Sequence, residues 1–227
     1  MPVYTIPENQ FIFPHPALAQ EDGLLGIGGD LQVERILLAY QNGIFPWYSA
    51  GEPILWWCIT PRLVLYPENI NISKSMHSYF NQSKFTLSFD KDFLSVILQC
   101  KTSEREGQGG SWIHQEIIDT FLELHAMGIA HSVEVWKDEY LVGGLYGLAI
   151  GKIFCGESMF SKTSNASKFA LIHLAKFLQK KNFKFIDCQQ DTPHLRTMGA
   201  ELISKKRFFD CLEENKNQPI LQEKWSL

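Results

Sequence analysis

From residue 62 onward the apolar positions fall into clear rhythms. Residues 62–66 read as a strand and 73–80 as a helix, and 85–90 form a second strand. Apolar residues at 93, 94, 97 and 98 line one face of a helix over 93–101, and those at 117, 118, 121, 122 and 124 do the same over 115–127. Three strands follow at 130–136, 140–150 and 152–160, the first two joined by a turn at Lys137-Asp138. Ser164 or Asn165 is placed to cap a strongly apolar helix that reaches Lys180. A strand over 183–189, a short helix and a last strand or tail complete the order.

The first sixty residues are different. They are dense in aromatics and turn formers, from Phe11-Ile-Phe-Pro-His-Pro16 through Gly26-Ile-Gly-Gly29 to Phe45-Pro-Trp47 and Trp56-Trp57. One amphipathic helix over 32–42 interrupts them, with Asp30 as its cap and Gly43 as its stop. The chain reads as a small irregular lobe followed by mixed helices and strands around an antiparallel run, which is an α+β pattern.

Composition narrows the class. With 227 residues and 45% of them hydrophobic, the chain can bury a real core, and neither glycine (16) nor proline (10) is in excess. The longest strongly apolar uncharged stretch, 140–151, falls short of the roughly 18 residues a bilayer span needs, so a soluble cytoplasmic protein with no membrane partner is expected. Five scattered cysteines without a C-x-x-C pair predict neither a disulfide framework nor a zinc site. The net charge of −4 is unevenly spread. Residues 1–151 carry 8 Lys and Arg against 17 Asp and Glu, whereas 152–227 carry 13 against 8, so a basic face suited to a polyanion can stand beside an acidic one.

Common catalytic signatures fail in turn. Gly26-x-Gly28 has Leu31 where a dinucleotide loop needs its third glycine, and Gly156-Glu-Ser158-Met-Phe160 ends in Phe where a nucleophile elbow needs Gly. Seven histidines give no helical metal pair. His173, amid Leu171, Ile172 and Leu174, reads as a packed histidine, and Cys188 reads as a small buried hydrophobe unless a histidine activates it.

The string Ile186-Asp187-Cys188-Gln189 says more, because alternation along a strand places Asp187 and Gln189 on one face. That pair suits acyl transfer to an amine, the alternative being an Asp satisfied by backbone donors at a strand end. Glu157, between Phe154, Cys155, Met159 and Phe160, would pair with a substrate ammonium or with a structural Lys or Arg. Trp47, after Phe-Pro, and Trp112, after the Gly-rich Gly107-Gln-Gly-Gly110, can serve as core or offer a ring face to a nucleobase.

Eight ordered strings between residues 4 and 209 carry a specific resemblance. Among them are Asp22-Gly-Leu-Leu-Gly-Ile-Gly-Gly-Asp-Leu31, Gly43-Ile-Phe-Pro-Trp-Tyr48, Gly156-Glu-Ser-Met-Phe-Ser161 and Ile186-Asp-Cys-Gln189, and together they resemble the leucyl/phenylalanyl-tRNA–protein transferase family. The resemblance implies a small N-terminal domain, 1–61, and an acyltransferase domain of GCN5-related fold, 62–227. It implies transfer of Leu or Phe, less readily Met, from aminoacyl-tRNA to the α-amine of proteins beginning with Arg or Lys, in bacterial N-end rule degradation.

The resemblance also implies a monomer without cofactor, and Ser161-Lys-Thr-Ser-Asn-Ala166 stands where a coenzyme A pyrophosphate loop would precede the long helix. Carried over by motif, Asp187 and Gln189 become the catalytic pair, with Asp187 polarising Gln189. Trp47 and Trp112 lie near the terminal adenosine, while Phe154, Met159, Leu174 and Leu178 line the side-chain pocket; Leu145 stands where a family relative has Met and bears on the choice between Phe and Leu, and Glu157 is the candidate for holding an ammonium. The chain departs from the family pattern at Ile59-Thr60 and over 190–196. A coenzyme A-dependent acetyltransferase and a non-catalytic RNA-binding or degron-binding module are the competing readings.

Overall fold

A computed structural model describes residues 3–81, 84–103 and 112–226. The Gly107–Gly110 loop and Ser111 lie outside the described residues. Strands β1 (Tyr4–Ile6) and β2 (Leu24–Gly28), helix α1 (Val33–Gln41) and strands β3 (Phe45–Pro46) and β4 (Leu55–Trp57) come first. The lobe expected to be irregular is thus built on a four-stranded sheet of order β1-β2-β4-β3. Its strands are two to five residues long and carry no alternation of their own; pairing with neighbours defines them.

Then follow β5 (Arg62–Leu65), α2 (Lys74–Asn81), β6 (Thr86–Phe89), α3 (Phe93–Thr102), α4 (Gln115–Ala126), β7 (Ala130–Lys137), β8 (Tyr140–Ile150), β9 (Ile153–Ser161), α5 (Ala166–Lys180), β10 (Phe185–Gln189), α6 (Pro193–Thr197), β11 (Glu201–Ile203) and α7 (Lys205–Asn215). The strands form a seven-stranded sheet of order β11-β5-β10-β9-β8-β7-β6. β7, β8 and β9 pair antiparallel as a meander, and α5 then crosses over to return β10 parallel to β9. This meander, helix and parallel strand make up the α+β arrangement that the resemblance implied.

Two helix caps differ from expectation. Asp30 does not cap α1: the N-cap is Gln32, and Asp30 instead accepts from the Gln32 backbone N–H at 3.0 Å and from Arg35 Nε at 3.0 Å, an ion pair that neutralises the fully buried Arg35. Asn165 occupies the N-cap of α5 in a left-handed conformation with no side-chain cap bond, and Ser161 Oγ accepts the Ser167 N–H at 3.3 Å instead. The stretch after β11, expected as strand or tail, contains the eleven-residue helix α7, whose buried Phe208, Cys211, Leu212 and Asn215 recur at helical spacing.

The hydrophobic core lies on both faces of the large sheet. On one face Trp56, Tyr40 and Ile44 of the small lobe merge with Val96, Phe121, Tyr146 and Phe208 into a single cluster. On the other, α5 packs Phe169, Ile172 and Leu174 over Val133, Leu145 and Phe154.

Candidate active site

Strand β10 lies between β5 and β9, and its alternation breaks near its end. Asp187 pairs with Val64 of β5 but Gln189 pairs with the adjacent Leu63, and Gln189 has a left-handed φ of 58°. A bulge of this kind re-aims a side chain. The two residues predicted to share one face therefore separate: Gln189 lines a cavity, whereas Asp187 is 2% exposed and does not.

Asp187 meets a cation instead. Arg62 Nε and Nη2 donate to its two carboxylate oxygens at 2.7 and 2.9 Å, the bidentate fork that guanidinium geometry favours. Arg62, itself 1% exposed, also donates to the carbonyls of Gly43 at 3.0 Å and Ile59 at 3.2 Å, and it sits over the rings of Phe208 and Phe45 at 4.5 and 5.2 Å. Asp187 Oδ1 additionally accepts the backbone N–H of Gln189 at 2.9 Å. The carboxylate thus anchors the bulge by its main chain.

On the cavity side, Gln189 Nε2 donates to Glu157 Oε1 at 3.0 Å. This contact fixes the amide, with its nitrogen toward Glu157. Among the described residues Glu157 forms no ion pair with Lys or Arg, and burial pushes its carboxyl up to about 7, against the opposing pull of Tyr40 and Gln189. The buried Tyr40 hydroxyl approaches Glu157 from α1 without meeting hydrogen-bond geometry, and burial and the neighbouring carboxylate push it well up.

The cavity has a volume of about 630 Å³. Leu145, Phe154, Met159 and Leu174 line it from the large sheet and α5, Trp47 from the small lobe, and Trp112 from the approach to α4. Its wall is mostly apolar, and Glu157 and Gln189 form one polar edge. Leu178 does not line it: one helical turn beyond Leu174, it is wholly enclosed in the core beneath α5. Trp47 is held by its own backbone, since its carbonyl accepts the indole N–H of Trp57 at 2.7 Å.

Residues 64–213 match the family profile described as leucyl/phenylalanyl-tRNA protein transferase, and residues 29–58 match that family's N-terminal domain. The chain belongs to this family. The leucyl/phenylalanyl-tRNA–protein transferase of Flavobacterium johnsoniae is 52% identical over 205 residues, covering 90% of this chain and 97% of the relative. That of Maridesulfovibrio salexigens is 46% identical over 226 residues, covering 99% and 94%. The solved structure of L-PGS from Bacillus licheniformis aligns with a TM-score of 0.39 at 12% identity over 83% of this chain and 65% of that one, too distant to carry an argument.

As a leucyl/phenylalanyl-tRNA–protein transferase family member the chain is an aminoacyltransferase. Of the residues singled out from sequence, the fold brings Gln189, Glu157, Trp47, Trp112, Leu145, Phe154, Met159 and Leu174 to one cavity. It leaves Asp187 behind the strand and Leu178 in the core. Sequence alone does not single out Arg62 or Tyr40. A lone arginine in Arg62-Leu-Val-Leu65 was the available signal, because a charge in an otherwise buried strand requires a partner. Tyr40 gives none, since an aromatic on a helix's apolar face reads as core.

Other groups weighed from sequence lie elsewhere or stay inert. Burial pushes the Cys188 thiol up, away from nucleophilic thiolate, although the residue faces the cavity. His173 packs against Phe169 and Phe80, and burial lowers it to about 4. Among the described residues no cluster of His, Cys, Asp and Glu is arranged for a metal ion, and no helix is long and apolar enough to cross a membrane.

Proposed function

We propose that the chain transfers Leu or Phe, and less readily Met, from aminoacyl-tRNA to the N-terminal α-amine of proteins beginning with Arg or Lys, acting as a cytoplasmic monomer in N-end rule degradation. The observation that carries this reading is one cavity with a mostly apolar lining into which Glu157 and Gln189, bonded to each other, both face. An apolar pocket without a fixed polar partner accepts Leu, Phe and Met, and excludes charged side chains by their desolvation cost.

In this reading the donor's side chain enters between Leu145, Phe154, Met159 and Leu174, with Trp47 and Trp112 placed for the terminal adenosine. The acceptor amine, neutral when it attacks, adds to the ester carbonyl; the C–N bond forms, the bond to the 3′ oxygen breaks, and a proton passes from nitrogen to that oxygen. Glu157 holds an ammonium, and Gln189, locked by its bond to Glu157, orients the attacking amine and stabilises its developing charge. Asp187 acts at one remove. With both oxygens engaged by Arg62 and one also accepting the Gln189 N–H, it serves by holding the Gln189 main chain.

The excess of basic residues after 151, including Lys162 and Lys168, supplies charge for the tRNA backbone. Affinity for tRNA should then fall steeply between 50 and 200 mM salt, by roughly 10³-fold if about six phosphates are contacted. The deciding experiment follows radiolabelled phenylalanine from Phe-tRNA to a protein beginning with Arg, with the same protein beginning with Gly as control. Label on the Arg acceptor alone supports the reading. A folded sample that binds aminoacyl-tRNA yet labels neither acceptor would defeat it.

A further inference from the structure

Beyond α7, residues 216–226 run without helix or strand and are pinned at three points. The Glu223 N–H reaches the Gly128 carbonyl at 3.2 Å, and Gly128 has no room for a side chain because a Cβ there would lie 2.6 Å from Glu223 N. Lys181 Nζ meets Glu223 Oε1 at 2.7 Å. The Trp225 N–H donates to Asp90 Oδ2 at 2.7 Å, and the same oxygen bonds His131 Nδ1 at 2.8 Å while Asp90 Oδ1 accepts the Ser132 N–H. The main chain at Trp225 is therefore placed by polar contacts that do not depend on its ring.

The ring is 4% exposed and lies flat on the imidazole of His131, with centroids 3.7 Å apart and planes 2° apart. Phenylalanines surround the rest of it: Phe89 at 6.3 Å, Phe154 at 5.7 Å, Phe177 at 4.8 Å and Phe183 at 6.1 Å. Among these only Phe154 lines the cavity. Phe154 is also closed in toward β8, where a Cβ on Gly147 would come within 2.7 Å of its ring. His131 and Gly147 are cross-strand partners, so Trp225, His131, Gly147 and Phe154 make one continuous stack across the sheet behind the cavity.

We infer that Trp225, which does not itself line the cavity, sets the depth of the apolar pocket by holding Phe154 in place, and thereby biases the choice between a shorter and a longer donor side chain. The inference rests on the function proposed above. Selection among apolar side chains rests on shape, since none of them can hydrogen-bond to the wall. Closely packed interiors leave no slack for a supporting ring to vanish unnoticed, so with Gly147 closing one flank and Trp225 at 5.7 Å on another, loss of the indole opens space into which Phe154 retreats. Trp225 is in this sense a positioning residue for specificity.

The test compares kcat/KM for Phe-tRNA and Leu-tRNA in the parent and in Trp225→Leu. The inference predicts that the Phe-to-Leu ratio rises about tenfold, the scale a methylene-sized change of pocket shape produces. Trp225→Phe, which keeps a ring for His131 but is smaller, should move the ratio the same way by a smaller factor, and it decides the matter if Trp225→Leu does not fold. A ratio within twofold of the parent in a folded variant, whatever happens to thermal stability, would overturn the inference, because a residue that only stabilises the fold lowers both rates together. A parent enzyme that transfers neither amino acid would instead refute the function on which the inference stands.

Discussion

The two carboxylates of the active site, Asp187 and Glu157, stand on adjacent parallel strands and have opposite circumstances. Asp187 is enclosed and shares its charge with Arg62 through two short hydrogen bonds. Among the described residues Glu157 has an amide donor and a phenol beside it and no ion pair with Lys or Arg, and burial lifts it to about 7. The first is a neutralised strut that connects β5, the small lobe and the bulge in β10. The second is an uncompensated charge at the edge of an apolar cavity, and so is the one that responds to an incoming cation or proton.

Removing the cation from the first pair should have the largest effect. Arg62→Met leaves Asp187 buried without its partner, and urea unfolding should show a loss of about 3–5 kcal/mol. Replacing both partners, Arg62→Met with Asp187→Leu, should recover most of that loss, yet transfer should stay low because the Gln189 N–H loses its acceptor. Full transfer by the stable double variant would show that the strut matters only for folding.

At the second carboxylate, Glu157→Gln should lower single-turnover transfer about 10²-fold with tRNA affinity unchanged. It should also abolish the rise in rate near pH 7, leaving only the acceptor amine's own titration near about 8. An unaltered pH profile would remove Glu157 from the chemistry.

Stability gives a third and smaller contrast. The folded state raises the Glu157 pKa from 4.5 to about 7, so folding favours the protonated form. The parent is then most stable, relative to Glu157→Gln, below pH 4.5, and loses about 3 kcal/mol of that advantage as pH rises from 4.5 through 7 to 8. Denaturation of both proteins at pH 4.5 and 8 measures this directly. Tyr40→Phe should have the least effect, within about 1 kcal/mol in stability, since the hydroxyl it deletes approaches Glu157 without full hydrogen-bond geometry. It should move the Glu157 limb upward by a few tenths of a pH unit, because Tyr40 opposes the rise.

Much of this contrast was legible in the chain, though not its geometry. Helical and strand periodicity placed β7 through β10 within two residues, because each is long and strongly patterned. Asp187 and Gln189 stood out as polar residues in an apolar strand, but the bulge that separates them arises from pairing with Leu63 and Val64, which no local spacing encodes. Leu178 joins the wall only through the family resemblance, and a carried-over motif does not tell how far along α5 the cavity extends. The spacing at 208, 211, 212 and 215 did encode α7, but it lies in a segment dominated by charge. Residues 216–226 have no rhythm, and only their docking against Gly128 and Asp90 gives them a shape.

The single hydrophobic cluster joining the small sheet to one face of the large one limits how the molecule can be divided. Trp47 lines the cavity, Tyr40 reaches toward Glu157, and the Gly43 carbonyl accepts from the cation that holds Asp187. The first sixty residues are therefore not a cargo-binding module that could be exchanged between relatives as a cassette. Grafting them from another family member would import one wall of the cavity, and a protease cut near Pro61 would divide the cavity lining and the hydrophobic cluster together.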